Sequence, residues 1–172
     1  EMSLENRMQC LYNLKRIGYQ TGAGFMVGSP FQTSEMLVKD LKFIEKLSPE
    51  MCGIGPFVPH KDTKFKNENH GDVSLVLMLL SIIRLLKPNI LLPATTALGT
   101  VDPLGREKGI LHGANVVMPN LSPVKHRKDY SLYDNKICTG DEAAQCIGCL
   151  ADRMKKIGYE IVTDRGDYKA DI

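Results

Sequence analysis

The feature that most constrains the fold is a regular alternation of four short apolar segments with helical patterns. The apolar segments span residues 21–28, 51–60, 90–92 and 114–118. Such alternation is typical of parallel β–α–β units. We therefore predict an α/β fold with about four parallel βα units. Because eight units close a TIM barrel of about 250 residues, four would form half of one, and a small open α/β sheet is the alternative.

Three longer helices are predicted from apolar periodicity and from residues that favour helix ends. The first begins at Ser3 and ends before Gly18, the second spans residues 34–47, and the third spans residues 73–86. The third is apolar nearly all round, which predicts deep packing. A short helix is expected up to about residue 112, and a further long helix over residues 141–157.

Composition and charge exclude several classes of protein. Hydrophobic residues make up 43% and charged residues 24%, as is ordinary for a soluble globular chain. A net charge of +2 gives no sign of a nucleic-acid surface. The longest apolar run, residues 73–86, contains two serines and an arginine and is too short for a bilayer. We expect a cytoplasmic protein with a small-molecule ligand and no nucleic-acid or membrane partner.

The strand at residues 90–92 is predicted to end in a polar loop that carries two adjacent hydroxyls, Thr95 and Thr96. Pro93 cannot donate to a central ladder, so regular pairing should weaken there. Ligands of α/β proteins lie at the carboxyl ends of strands, where hydroxyls and free amides can hold an anion. The alternative is that the two threonines simply begin an ordinary loop.

Three of the five cysteines lie close together near the end of the chain: Cys138, Cys146 and Cys149. Their Cys-x7-Cys-x2-Cys spacing suits an iron–sulfur cluster or zinc with one open position, and the alternative is a set of inert buried thiols. The odd total argues against a secreted disulfide framework. Cys10 and Cys52 are predicted to be small core residues, and none of the four histidines is assigned as a ligand.

Several multi-residue motifs occur together in a recognisable order. They are TGAGFMVG at 21–28, GIGPFVPH at 53–60, PATTA at 93–97, GANVVMPN at 113–120 and the cysteine tail. With these motifs the chain resembles the E-type maturase of the FeFe hydrogenase over nearly its whole length. That family belongs to the radical S-adenosylmethionine (SAM) enzymes, and it is related to biotin synthase and methylornithine synthase.

The sequence departs from the family pattern in two places. Phe31 stands where the family has a glycine in its Gly-x-Pro-Gly-Gln-Thr turn. The Cys-x3-Cys-x2-Cys loop that holds the catalytic 4Fe-4S cluster of the family is absent from this sequence. The resemblance therefore implies the C-terminal half of such an enzyme, inactive alone, with the catalytic cluster held by the other half. The parent would be an enzyme of the transferase type.

The resemblance also implies roles for individual residues. Arg7 would meet the amino-acid part of SAM, unless it is only a solvated surface charge, and Met51 and Ile54 would lie near the adenosyl moiety. Thr95 and Thr96 would line the substrate or anion pocket. The remaining implied residues are Tyr130 and Tyr133, which would close the cavity, and the three tail cysteines, which would hold an accessory cluster.

The resemblance also implies a division of the chain and a set of partners. Residues 1–123 would form the half-barrel, and residues 124–172 the cysteine-containing extension. Two copies could pair through the exposed edges of the half-barrel, and the parent could contact other hydrogenase maturation proteins. Alternative functions are a biotin synthase-like, sulfur-inserting enzyme fragment and a non-catalytic module that binds a ligand or a cluster.

Overall fold

The computed structural model of the chain describes residues 3–130, 132–137 and 143–169, and it has a mixed α/β fold. The strands are β1 (Gly22–Val27) and β2 (Met51–Pro56). The helices are α1 (Leu4–Ile17), α2 (Ser34–Leu47), α3 (Val73–Leu86), α4 (Thr96–Val101), α5 (Gly105–Leu111) and α6 (Ala143–Lys156), with a 3-10 helix at Val124–Tyr130.

The ends of the first three helices are fixed by local capping, as the sequence predicts. The side chains of Ser3, Thr33 and Asp72 each accept a hydrogen bond from a backbone N–H in the first turn of the helix that follows. Gly18 ends α1 in the left-handed conformation, with φ of 96°. The predicted bounds of α1, α2 and α3 are confirmed.

The strands β1 and β2 form a parallel pair that runs in register from Gly22 beside Met51 to Val27 beside Pro56. The next two predicted strands are present only as isolated parallel bridges. One joins Met51 to Leu91, and the other joins Pro93 to Val116. Four extended segments therefore lie side by side in chain order, and only the first two pair regularly.

The reduced pairing at residues 90–93 and 114–118 has a local cause. Pro93 has no N–H to donate. The Leu92 N–H donates to the side-chain Oδ1 of Asn115 at 2.8 Å rather than to a backbone carbonyl. Ala94 N donates to the Val116 carbonyl at 2.9 Å. A side chain therefore replaces part of the regular ladder.

The main hydrophobic core lies between the sheet and α3. Five residues of α3 are buried: Val76, Leu77, Leu79, Leu80 and Ile83. Val27, Cys52 and Ile54 contribute the buried face of the sheet. The opposite face is open, since Gly22, Gly24 and Met26 of β1 are exposed. A second, smaller core contains Ala94, Ile110, Ala114 and Met154.

The two cysteines outside the tail differ from each other in burial. Cys52 is buried in the core as predicted, and burial raises the pKa of its thiol to about 12. The prediction for Cys10 is wrong, because it is exposed on α1. This helix buries none of its residues. One of its contacts with the rest of the fold is made by Lys15, whose Nζ donates to Glu50 Oε1 and to the Ser48 carbonyl, both at 2.6 Å.

The described parts of the C-terminal extension contact the rest of the fold at several places. Asp134 N donates to the Pro59 carbonyl at 3.1 Å, and Ile137 N donates to Thr100 Oγ1 at 3.3 Å. Helix α6 is tied to α5 by Arg153 and Glu107. Further on, Asp167 accepts from the Gln20 side chain at 3.1 Å. In the described ranges, no helix is both long and apolar enough to cross a membrane.

Candidate functional site

The carboxyl end of β2 meets the two predicted threonines directly. A Cβ atom placed on Gly55 would lie 2.6 Å from Thr95 Oγ1. Only glycine therefore lets the end of β2 approach the threonine this closely. Thr95 and Thr96 are both half-buried, so they lie at the edge of the sheet rather than in free solution.

The threonines begin a helix instead of the predicted polar loop. Thr95 is the N-cap of the six-residue α4, and its Oγ1 accepts from Leu98 N at 3.3 Å. The strand-to-loop prediction was wrong here because Thr95 supplies a cap, and local hydroxyl capping favours a helix. Thr96 Oγ1 has a different partner, accepting from Arg106 Nη2 at 3.1 Å.

Arg106 lies beside the candidate site and was not singled out from the sequence. It lies in α5 and is only 2% exposed. A Cβ atom on the preceding Gly105 would lie 2.2 Å from the Leu98 carbonyl, so this glycine lets α5 pack closely on α4. The close packing places the guanidinium beside Thr96. The sign of it in the sequence is a charged residue that lies between the glycines of two short helices. Apolar periodicity does not detect such a residue.

An ion pair fixes the turn of α5 that carries Arg106. Arg153 of α6 donates to Glu107 from two of its three guanidinium nitrogens, from Nε to Oε1 at 2.5 Å and from Nη2 to Oε2 at 2.6 Å. Arg153 also donates to the Pro103 carbonyl. Burial alone would raise the pKa of Glu107, but hydrogen bonds from Arg153 and the backbone outweigh burial and lower it. Glu107 is therefore a carboxylate near neutral pH.

The segment with the two predicted tyrosines approaches the same edge. Residues 132–137 contact Pro59, which follows β2, and Thr100, which lies on α4. Tyr133 is half-buried within this segment, whereas Tyr130 is 63% exposed. The structure therefore brings the backbone around Tyr133 near the threonines, and the cavity-closing role of both tyrosines stays a prediction.

The predicted cofactor residues are spread over different surfaces. Arg7 is exposed on α1, away from any described ion pair. Met51 is half-buried on β2. Ile54 is 1% exposed, with its side chain in the main core. These three roles stay predictions.

The cysteine tail is only partly described. Cys149 is exposed on α6, Cys146 lies one turn earlier on the same helix, and Cys138 lies outside the described residues. The role of the three cysteines as ligands of one metal or cluster stays a prediction. Within the described ranges, no three His, Cys, Asp or Glu side chains come together as a metal site.

A cavity of about 500 Å³ lies elsewhere, between residues 114–117 and the C-terminal segment. It is lined by apolar residues such as Ile110, Val116 and Met154, with a rim that includes Asp167 and Lys169. None of the predicted site residues lines it. The threonine edge, with its hydroxyls and buried arginine, is the better candidate for polar ligand chemistry.

Comparison with known proteins gives a clear relative. The chain is 46% identical over 169 residues to the [FeFe] hydrogenase maturase subunit HydE of Thermotoga maritima, a match covering 98% of this chain and 49% of HydE. This chain is a homologue of HydE. It is also 25% identical over 157 residues to the 3-methylornithine synthase of Methanosarcina acetivorans, a match covering 87% of the chain and 42% of that protein.

The chain thus spans about half the length of the curated relatives it matches, with 49% of HydE and 42% of the synthase covered. No family model matches the sequence. The relationship to HydE supports the resemblance that the motifs indicate. It extends over both the threonine edge and the tail, since 98% of the chain is aligned.

Proposed function

We propose that the chain is the C-terminal half of a radical SAM enzyme of the HydE type, which helps to assemble the active-site cluster of [FeFe] hydrogenase. Its part in that enzyme is to bind a small polar molecule at the edge formed by Thr95 and Thr96. The 46% identity to HydE supports the enzyme class. The hydrogen bonding of the two threonines is the observation that carries the binding role.

Both threonine hydroxyls are arranged to donate. Thr95 Oγ1 accepts from Leu98 N, and Thr96 Oγ1 accepts from Arg106 Nη2. A hydroxyl that accepts from an N–H keeps its own proton for another acceptor. Thr100 contrasts with them, since its Oγ1 donates to the Thr96 carbonyl at 3.0 Å while accepting from Ile137 N. Two adjacent O–H donors at a strand end suit an oxygen-bearing ligand.

We assign the other walls of the proposed pocket to the C-terminal extension and to the open face of the sheet. Tyr133 and Tyr130 would close the pocket above the threonines, with residues 132–137 anchored to Pro59 and Thr100. The exposed Gly22 and Gly24 of β1 would let a ligand lie against the backbone. Met51, Ile54 and Arg7 would contact SAM at this half of a (β/α) barrel.

The catalytic cluster does not fit the residues of this chain. The sequence contains no Cys-x3-Cys-x2-Cys spacing, so we assign no radical step to it. In the proposed parent, the cluster and SAM together supply the 5′-deoxyadenosyl radical. The residues of this chain bind and orient the substrate and exclude water.

The extension, residues 124–172, is proposed to hold an accessory iron–sulfur cluster with Cys138, Cys146 and Cys149, while its helix α6 packs on the half-barrel through Met154. We expect iron and sulfide to bind to the anaerobically reconstituted chain, and to be lost in a Cys146→Ala, Cys149→Ala variant. Cys10→Ala is the matched control, because Cys10 is exposed but lies on α1. Equal iron content in all three proteins, or none in any, would reject the accessory site.

The proposed enzyme is also assigned a pairing mode, a cellular location and protein partners. In the described residues β1 pairs with β2 alone, and its other edge supports pairing with a second half-barrel, from another copy or from the rest of the parent. Balanced charge and an odd number of cysteines favour a cytoplasmic enzyme. Other hydrogenase maturation proteins are proposed partners of the parent.

A chimera tests the proposed function. The chain replaces the matching half of T. maritima HydE, and the purified chimera is reconstituted with its cluster and supplied with SAM and a reductant. We expect 5′-deoxyadenosine from the chimera and none above background from the chain alone. A Thr95→Val, Thr96→Val chimera should keep SAM cleavage, since its cluster half is intact, but bind the substrate more weakly.

Two results would contradict this proposal. Formation of 5′-deoxyadenosine by the chain alone would show that the Cys-x3-Cys-x2-Cys half is not needed. A folded chimera that carries its cluster but does not cleave SAM would show that this chain cannot serve as the matching half. Circular dichroism and iron content establish that the chimera is folded and loaded.

A further inference from the structure

We propose that residues 114–117 and the C-terminal residues 158–169 form a slot for an extended, apolar strand from the other half of the parent enzyme. Residues 158–169 are called the strap below. This inference rests on the proposed function, because it names the partner of one edge of the half-barrel. That edge lies at the opposite end of the sheet from β1, and the strap is a segment to which the motifs assign no role.

The last extended segment has unpaired backbone groups on one side. Val116 uses both of its groups toward the preceding segment, since its N–H donates to the Leu92 carbonyl at 3.2 Å and its carbonyl accepts from Ala94 N at 2.9 Å. Alternate residues of a parallel strand address opposite neighbours. Val117 therefore addresses the other side, where within the described ranges neither its N–H nor its carbonyl makes a hydrogen bond. Because Val117 is half-buried, a further strand that pairs with it would be stabilising.

The space beside this edge is apolar. The cavity of about 500 Å³ described above lies there, between the edge, helix α6 and the strap. Met154 of α6 and Ile161 of the strap line it, and both belong to or pack against the second core. The cavity therefore continues the second core outward. Apolar side chains placed in it would be removed from water, which favours an apolar occupant.

Charged side chains at the rim of this cavity are already paired with one another. Lys169 Nζ lies 3.5 Å from Asp164 Oδ2, and Arg165 Nη2 lies 3.0 Å from Asp167 Oδ2. These pairs neutralise four charged side chains, so the rim does little to select a charged small molecule. The backbone edge still has its hydrogen-bonding groups to offer. A strand brings matching N–H and C=O groups together with side chains for the apolar wall.

The strap crosses the amino-terminal end of the sheet, from its last segment to its first. It begins at Gly158, which follows α6 with φ of 83°, and Ile161 then packs against the second core. At the far end, the side chain of Gln20 donates to Asp167 Oδ1 at 3.1 Å and accepts from Tyr168 N at 2.7 Å. Gln20 lies just before β1. The strap therefore ties together the two outer segments of the sheet, between which the other half would insert.

The other half of the parent is the occupant that these features favour. The chain aligns over 98% of its length with only 49% of HydE, so a protein of that length has a second half to supply strands. All pairs between the extended segments of this chain are parallel. We therefore expect the added strand to run parallel to residues 114–117. A second copy of this chain is the competing occupant, and its binding would depend on the concentration of the chain.

Hydrogen exchange at residues 114–118 tests this proposal. It is followed by mass spectrometry in the chain alone and in the chimera with the rest of T. maritima HydE. We expect fast exchange of the Val117 amide in the chain, and exchange about a hundredfold slower in the chimera, because the amide donates there to the added strand. Dilution of the chain alone should leave its exchange unchanged.

Thermal melts of variants, made in both the chain and the chimera, separate the backbone from the side chain. Val117→Pro removes the N–H and should lower the melting temperature of the chimera by about 2 °C more than that of the chain. Val117→Ala keeps the N–H and should lower both by similar amounts. Val162→Asp places a charge on the strap wall, where Val162 is 79% exposed in the chain, and should destabilise the chimera alone. Leu85→Asp is its control, since Leu85 is 81% exposed on α3 and does not line the slot.

The slot and the proposed function can fail separately. A chimera that cleaves SAM but exchanges residues 114–118 as fast as the chain would overturn the slot and keep the proposed function. A folded, cluster-loaded chimera that protects these residues but does not cleave SAM would reject the proposed function and keep the slot. Protection that rises with the concentration of the chain, together with a dimer mass by light scattering, would overturn the choice of occupant.

A second measurement applies if the chimera does not fold. Overlapping synthetic peptides, which cover the part of T. maritima HydE that this chain does not match, are titrated into the isotopically labelled chain. We expect an apolar peptide to shift the NMR signals of the Val117 amide and of the strap, and its N-methylated form to shift neither. If no peptide shifts the Val117 amide, the slot is rejected.

Discussion

Residues 22–86 and residues 90–118 show how differently two parts of one sheet can be built. In the first part, β1 and β2 pair over six consecutive positions and enclose the main core with α3. In the second part, the extended segments make single bridges, and the helices between them have six and seven residues. The first part supplies most of the buried apolar surface, and the second presents hydroxyls and a buried cation.

The difference teaches where irregular structure is tolerated. Pro93 and the Asn115 side chain interrupt the ladder next to Thr95. Such interruptions remove regular hydrogen bonds but free the backbone and side chains for other contacts. The regular part can carry this cost because its core is larger. We therefore expect mutations in the two parts to affect stability and binding to different extents.

The largest expected effect is on stability, from a change in the first part. Leu80→Ala should lower the free energy of unfolding by about 3–4 kcal/mol, because Leu80 is 0% exposed and a cavity would remain. Ile110→Ala in the second core should cost less, about 2 kcal/mol, since Ile110 is 7% exposed and its cluster is smaller. Urea denaturation measures both. A larger loss for Ile110→Ala would reverse the comparison.

The next effect concerns the brace between the extension and the second part. Arg153→Gln should lower the free energy of unfolding by about 1–2 kcal/mol, because it leaves the carboxylate of Glu107 without its bidentate partner. The estimate is reduced because the Arg153 side chain is 24% exposed. Lys108→Gln, which removes the more exposed pair with Asp102, is the control and should cost less. Equal losses of unfolding free energy in the two variants would mean that the Arg153–Glu107 pair stabilises the fold no more than an exposed ion pair does.

The pH dependence of stability should reflect the same brace. Folding lowers the pKa of Glu107 from an ordinary value of 4.5. At a given acidic pH, a larger fraction of this carboxyl group is therefore ionised in the folded protein than in the unfolded chain. This stabilisation is fully present above pH 4.5 and is lost as the pH falls through the lower, folded pKa. Thermal melts from pH 7 downward should therefore fall less steeply for Glu107→Gln. The pKa of Glu50 is also lowered, so the Glu107→Gln variant should keep some acid sensitivity. Parallel melting curves for the wild type and the variant would contradict this account.

The smallest expected effect is a gain in stability. Phe31 has φ of 66°, a left-handed conformation that is strained for an aromatic residue, and its side chain is 86% exposed. Phe31→Gly should raise the free energy of unfolding by about 0.5–1 kcal/mol, since relief of strain outweighs the greater freedom of glycine in the unfolded chain. Phe31→Ala keeps a side chain at this left-handed position, so its free energy of unfolding should not rise. A loss of stability in Phe31→Gly would show that the side chain has a partner.

Sequence reasoning succeeded where local chemistry decides the structure. Ser3, Gly18 and Asp72 cap their helices through neighbouring atoms, so the bounds of α1 and α3 could be predicted. It failed where tertiary packing decides. Cys10 was expected in a core, but α1 buries none of its residues.

The candidate site shows the same limit. Thr95 and Thr96 were singled out as candidates because they follow an apolar strand, which is a local pattern, and their ligand-binding role stays a prediction. Arg106 was missed, since its burial depends on how α5 packs against α4 and on Arg153, which lies 46 positions beyond Glu107. The tail spacing predicted cysteine ligands, of which the structure describes the side chain of Cys149 alone. Contacts between distant segments determine these features, and no single-sequence pattern encodes them.

Native-state hydrogen exchange, measured with and without sodium sulfate, tests the central claim most directly. The account predicts the strongest protection in α3, unchanged by sulfate, and weaker protection at residues 95–101 that increases when sulfate binds. A matched experiment on T96V should lose the sulfate effect and keep the protection of α3. Equal protection in both parts, or a sulfate effect confined to α3, would contradict the division between a stabilising part and a ligand-binding part.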